Sequence, residues 1–182
     1  MAKLTQERIL DMAEKIMLEK GMEQTTLYRI AQNLEVSHAA LYKHYRNKED
    51  LFQKLALRWL EETSRELFNW VGTPKKSKEE NLHDWLWFLA GSKKKSYQTN
   101  REMFLLYTDY IEHNQELVKE HLDHLGKRAE EISGWKNQGR AIMTAFVYFH
   151  NPYFANRWEQ LDYQESFEEV WYLLVSSKET SF

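Results

Sequence analysis

Residues 25–48, TTLYRIAQNLEVSHAALYKHYRNK, decide the fold. Thr25 and Thr26 are side chains that cap helix N-termini, and Ile30, Ala31 and Leu34 follow them as a short apolar stripe. Ser37 is a second cap, opening a helix that contains Leu41. Only Glu35 and Val36 separate the two helices. Helices joined by so few residues must cross steeply rather than lie antiparallel, which is the geometry of a helix-turn-helix. Ala31 is small where the two would touch, and Ile30, Leu34, Val36 and Leu41 fill the space between them. The second helix of such a unit enters the DNA major groove by its N-terminal residues. Here those are Ser37, His38, Ala39, Ala40 and Lys43.

Charge points the same way. The chain carries a formal net charge of -3, which on average disfavours an anionic partner. Ser37 to Lys48 nevertheless contains Lys43, Arg46 and Lys48, with His38 and His44, and no acid. A basic island in an acidic protein is either a solvated face or a contact for an anion. Its coincidence with the groove-facing helix favours the second reading.

Outward from this core, Thr5 caps a first helix whose stripe is Ile9, Met12, Ala13, Ile16 and Met17, and Gly21 ends it in the left-handed manner of helix C-termini. A long helix follows Lys48 and runs to about Val71. Gly and Pro number only 6 and 2 in 182 residues, too few for the turns of a β-sandwich or barrel, so the fold class is all-α. The absence of Cys removes disulfides, thiol nucleophiles and cysteine-based zinc sites. The first residues contain no apolar signal segment, no run approaches the roughly 18 residues of a membrane span, and mean hydropathy is -0.73. These features lead us to expect a cytoplasmic protein with no membrane partner.

Residues 5–55, and above all LYKHY followed by NKEDL, resemble the DNA-binding domain of the tetracycline-repressor (TetR) family of bacterial regulators. The resemblance covers about the first third of the chain. It implies an N-terminal three-helix DNA-binding domain (residues 1–50) and a helical effector-binding and dimerisation domain (51–182). It also implies phosphate contacts from Thr26, Ser37, Tyr42 and Lys48, which fix register without reading sequence. Tyr42 could alternatively pack the domain, as Tyr45 is expected to do, and His44 could bond a phosphate or be structural. His38 and Lys43 can offer hydrogen bonds to base edges, and the methyls of Ala39 and Ala40 can pack on thymine. Tyr28 can add a base or backbone contact. Glu35 departs from the family, which usually has Gly there, and a non-Gly residue at positive φ costs about 1 kcal/mol.

Beyond residue 78 the sequence predicts helices over 79–91, 101–113, 115–133, 136–150 and 163–177. The expected breaks are at Gly91–Asn100, Asn114, Gly134 and Asn151–Tyr153, with Lys93-Lys94-Lys95 in a solvated loop. Trp85, Phe88, Phe104, Tyr107, Tyr110 and Phe149 form aromatic stripes that are core by default. With Asp109 and His113 among them they also have the make-up of a pocket for a small lipophilic or aromatic effector. Ile142, Phe146 and Phe149 on one helix, and Phe167, Val170, Trp171 and Leu174 on the last, are either intrachain core or the faces of a four-helix homodimer interface, as in the resembled family. A two-fold dimer requires an inverted-repeat operator in double-stranded DNA.

The expected function is therefore a sequence-specific transcriptional regulator, a repressor released from DNA by a small effector, with no catalytic residues, cofactor or metal. The competing reading is a metal-dependent or hydrolytic helical enzyme with an incidental basic N-terminus. His121 and His124 with Glu120 and Asp123 would be its metal ligands, although a solvated helix face explains them better.

Overall fold

The computed structural model describes residues 3–110 and 114–179, and among these there are helices and turns but no strand. The chain divides into two compact units, Met1–Glu62 with Thr99–Gln115 and Thr63–Gln98 with Glu116–Phe182.

In the first unit, helix α1 (Gln6–Lys20) begins where the Thr5 hydroxyl accepts the Arg8 N–H, and it buries Ile9, Leu10, Ala13, Ile16 and Met17. It ends at Gly21, whose φ of +81° and ψ of 167° lie in the mirror-image extended region instead of the left-handed helical one. No side chain with a Cβ adopts that conformation readily. Thr26 caps helix α2 (Leu27–Asn33) by accepting the Arg29 N–H at 3.2 Å. The turn places Glu35 at φ +54°, as the resembled family's usual Gly there implies, and Val36 N–H reaches back to the Ala31 carbonyl at 3.1 Å. Ser37 then caps helix α3 (His38–Leu41), accepting the Ala40 N–H at 3.2 Å. Tyr45 is buried, its hydroxyl donating to the Gln6 carbonyl at 3.4 Å, and burial pushes its pKa up to about 12.

Helix α4 (Lys48–Phe68) contributes Arg58, which bonds Glu7 at 3.1 Å and both Asp11 and Glu14 at 2.7 Å. Those acids lie on one face of α1, so a single guanidinium fastens the two helices side by side. Helix α6 (Arg101–Tyr110) completes the unit. It buries Phe104 and Tyr107 beside Trp59, with centroids 6.4 and 5.6 Å away, and sets Tyr110 edge-on to Phe52 at 5.8 Å.

The second unit holds helix α5 (Lys78–Thr99), most of α7 (Gln115–Ser133), α8 (Gly139–Ala145), α9 (Val147–His150), a 3-10 turn (Pro152–Arg157) and α10 (Tyr163–Glu179). Its centre is aromatic: Phe146, Phe149 and Phe167 stand 5.0–5.9 Å apart, and Trp158 donates its indole N–H to the Tyr148 carbonyl at 2.7 Å. Two expectations are corrected here. The break at Gly91–Asn100 does not exist, because α5 runs through Gly91 to Thr99. A helical Gly costs roughly 1 kcal/mol, which burial of its neighbours Leu89, Ala90 and Lys93 offsets. The single helix over 136–150 is instead two, α8 and α9, parted at Phe146. It starts late because Asn137 takes φ +61° and the Glu130 carboxylate accepts the Gly139 N–H at 2.8 Å. Gly139 also lets α8 lie directly on α7: a Cβ there would stand 2.3 Å from the Gly126 carbonyl oxygen.

Candidate nucleic-acid interface

Three of the residues expected to face DNA lie together on one exposed surface of the first unit. Tyr28 and Tyr42 are 61% and 50% exposed, and the His38 ring bridges them edge-on, with centroids 6.3 and 5.0 Å away. Lys43 is exposed beyond α3. Tyrosines that merely packed the domain would be covered, as Tyr45 is. Tyr42 is therefore not a core residue, whereas Tyr45 is.

The hydrogen bonds leave this surface equipped with donors. Gln32 donates to the Tyr28 hydroxyl oxygen at 2.8 Å, so that hydroxyl keeps its own proton for an outside acceptor. The hydroxyls of Thr26 and Ser37 likewise accept helix N–H groups and retain their protons, and both residues are exposed. Ala39 is exposed and Ala40 half-buried on α3, so a methyl contact is available from Ala39 first. His44 is half-buried in the turn that follows. Lys48 donates to the Met22 carbonyl at 3.2 Å and stands 4.8 Å over the Phe52 ring, which anchors the ammonium while leaving it further protons to donate.

The sequence profile described as bacterial regulatory proteins, tetR family, matches residues 9–55. That stretch contains both helices, the turn and the aromatic surface. The N-terminal domain belongs to the tetR family. Among curated relatives, the HTH-type transcriptional repressor BepR of Brucella suis is 43% identical over 51 residues, 28% of this chain and 24% of BepR. The Staphylococcus epidermidis regulator IcaR, a negative transcriptional regulator of the biofilm operon icaADBC, is 40% identical over 48 residues, 26% of each chain. The match thus spans about a quarter of the relatives' length. The fold extends the likeness across the whole chain. A TetR-like transcriptional regulator from Rhodococcus aligns over all of both chains with a TM-score of 0.60 at 19% identity. BioQ, in a crystal structure with its double-stranded DNA operator, aligns over 96% of this chain and 98% of its own with a TM-score of 0.57 at 21% identity.

The residues expected to bind an effector are divided between the units. Phe104 and Tyr107 are buried and Tyr110 half-buried in the tetR-type unit, where Asp109 is exposed. Trp85 and Phe149 are buried in the second unit and Phe88 half-buried, with Trp85 donating its indole N–H to the Leu67 carbonyl at 3.0 Å. His113 lies outside the described residues. A shallow cleft of about 330 Å³ lies elsewhere in the second unit, with Lys76, His83, Asp84 and Trp171 in its lining. Its charges already engage one another, Lys76 with Asp84 at 2.5 Å and His83 with Glu168 at 3.0 Å.

Of the residues expected at a dimer interface, Ile142, Phe146, Phe149 and Phe167 are fully buried within this chain, and Val170, Trp171 and Leu174 are half-buried. The apolar surface that α10 leaves open is Tyr172 and Leu173, 71% and 68% exposed. Among the described residues no group of three or more His, Asp or Glu side chains is placed to hold a metal. None of the described helices is long and apolar enough to cross a membrane.

Sequence reasoning missed one group of side chains. Lys93, expected in a solvated loop, is only 9% exposed on α5. His121, expected on a solvated face, has its Nε2 sealed from solvent with no hydrogen-bond partner. Burial and the neighbouring Lys93 lower the His121 pKa to about 3 and that of His150 to about 4. The signal was available only as a Lys and two His residues on separate helices, which no local spacing connects.

Proposed function

We propose that the chain is a sequence-specific DNA-binding transcriptional regulator, a cytoplasmic repressor that a small lipophilic or aromatic effector releases from its operator. The carrying observation is the exposed Tyr28–His38–Tyr42 ladder with Lys43, set on a helix-turn-helix inside a tetR-family domain. Residues 1–50 hold DNA and residues 51–182 bind the effector and a second copy of the chain. The dimer grips an inverted repeat, one recognition helix per half-site. Helix α4 is continuous from the end of the DNA-facing turn to Phe68, so an effector that fits only one setting of it changes operator affinity. The size of that change is the effector's affinity difference between the settings, typically about 1–3 kcal/mol.

The test is fluorescence anisotropy with the DNA upstream of the protein's own gene, run across a salt series, with sedimentation to count chains per duplex. We expect two chains on an inverted repeat and an affinity that falls steeply with salt. Lys48→Ala should weaken all sequences alike and lower the salt slope by about one phosphate. Lys43→Ala or His38→Ala should instead relax preference at particular base pairs by roughly 1–3 kcal/mol. An unchanged sequence preference in Lys43→Ala refutes this division of roles, and a monomer with wild-type affinity refutes the dimer.

A further inference from the structure

Helix α2 places Tyr28 and Gln32 four residues apart, on one exposed face. Gln32 donates its side-chain N–H to the Tyr28 hydroxyl oxygen at 2.8 Å. A phenol has one proton to give and, with its other electrons drawn into the ring, one good in-plane direction in which to accept. Gln32 fills that direction. The Tyr28 hydroxyl is left as a donor alone, and none of the described residues takes its proton. The ring is held as well. His38 meets it edge-on with centroids 6.3 Å apart, and His38 is in turn edge-on to Tyr42 at 5.0 Å. His38 is the first residue of α3 and is itself expected to reach base edges, so the phenol stands beside the part of the surface that reads sequence.

We propose that Gln32 is a positioning residue for base readout: it commits Tyr28 to donating, so that each half-site carries a keto base, guanine or thymine, where Tyr28 meets the major groove. This rests on the reading of α2 and α3 as the DNA interface, and it adds a specificity rule to that reading. In the major groove guanine and thymine present a carbonyl oxygen where adenine and cytosine present an amino group. A hydroxyl free to rotate serves either, donating to the oxygen or accepting from the amino group. A hydroxyl whose acceptor side is filled serves only the oxygen. An amino group opposite it leaves two donors facing each other under the protein, away from water, and such an unmet pair costs more than one lost bond. Gln32 exerts this choice without touching DNA itself. An i, i+4 pair that acted only on its own helix would change stability and leave base preference alone, which separates the two roles.

The experiment uses the full chain and a pool of duplexes carrying about 20 random base pairs, enough for two half-sites one helical turn apart, with the bound fraction sequenced. Preferences at single positions are then measured on the enriched site by competition anisotropy, one half-site changed at a time. Wild type should favour guanine or thymine over adenine or cytosine at one position by about fivefold or more. Tyr28→Phe, which lacks the hydroxyl, should lose that preference and keep those at other positions. Gln32→Glu should reverse it, because an ionised carboxylate accepts the Tyr28 proton and leaves the hydroxyl oxygen facing outward as an acceptor. The added charge weakens every sequence alike and cancels in the ratio. Gln32→Leu should bring the ratio close to one, and it decides the matter should Gln32→Glu not fold by circular dichroism. An unchanged keto preference in the Gln32 variants overturns the proposal. So does an equal loss across all sequences in Tyr28→Phe, which marks a phosphate contact, or a preference for purines whether keto or amino. A pool that enriches no sequence strikes the DNA-binding reading as well, whereas an enriched site whose preferences depend on Lys43 and His38 but not on Tyr28 or Gln32 strikes this inference alone.

Discussion

The two units hold themselves together by different means. In the tetR-type unit the bonds that shape the helix-turn-helix are local, while Arg58 ties α4 to α1 from a distance in sequence. The hydroxyls of Thr5, Thr26 and Ser37 each accept an N–H three residues on, and the turn closes from Val36 to Ala31. In the second unit they join residues far apart in sequence: Trp85 with Leu67, Trp158 with Tyr148, Gly139 against Gly126, and Lys93 acting on His121 and His150. Local bonds write their pattern into a short window of sequence. Bonds between distant residues do not.

The largest test of that contrast is Gly139→Val. In the second unit a Cβ at residue 139 would meet the Gly126 carbonyl oxygen at 2.3 Å, and because that neighbour is backbone it cannot yield without moving its helix. Forced overpacking of this kind costs about 3 kcal/mol or more. Urea unfolding should show that loss, and residue-level hydrogen exchange should place it in α7, α8 and α9 while α1 to α3 keep their protection. Equal loss across α1 to α3 would mean that the two units unfold as one.

That contrast also explains what could be read from the sequence alone. The caps and the exposed position of His38 follow from residues within four positions of one another, and the positive φ at Glu35 from the Gly that the resembled family usually has there; all are found. Tyr45, expected to pack the domain, is buried. Helix α5, by contrast, passes through Gly91, a residue that on its own marks a break, and its neighbours Leu89, Ala90 and Lys93 are buried. The run Lys93–Lys95 looks solvated in one dimension, yet its first member faces the interior. The stripe of Ile142, Phe146 and Phe149 has the periodicity of an interface and of a core alike, and the structure buries it within the chain. Periodicity reports that a face is apolar, not what covers it.

Acid should separate the units next. His121 and His150 have folded pKa values near 3 and 4, below the ordinary 6.5, so the unfolded chain binds more protons between those limits. Their contribution to stability is present above pH 6.5 and is lost as pH falls toward the folded values, at up to about 1.4 kcal/mol per pH unit for each proton. In the tetR-type unit the backbone N–H of Arg46 holds the Asp50 carboxyl below its ordinary 3.8, so the loss from that group begins only beneath 3.8. Hydrogen-exchange protection factors, which divide out the slower intrinsic exchange at lower pH, should therefore fall between about pH 7 and about pH 5 in α5, α7 and α9 before α2 and α3. A loss of protection that starts in α2 and α3 would reverse the assignment of the acid-labile groups.

The smallest effect sharpens the contrast from the other side, because it is an improvement made locally. Glu35 holds φ +54° in the turn between α2 and α3, where its N–H reaches the Gln32 carbonyl at 3.2 Å and its side chain is exposed. An exposed side chain contributes little to set against the cost of that conformation. Glu35→Gly removes a strain of about 1 kcal/mol while adding some backbone freedom to the unfolded chain, for a net gain of about 0.5 kcal/mol. For a chain of this size that raises Tm by roughly 1–2 °C. The substitution also removes a negative charge beside the DNA-facing helix, so operator binding should tighten slightly at low salt and converge with wild type at high salt. A lower Tm would show that Glu35 earns its place through a contact its exposure conceals; a tightening that persists at high salt would show that the turn, and not the charge, sets how α3 is presented.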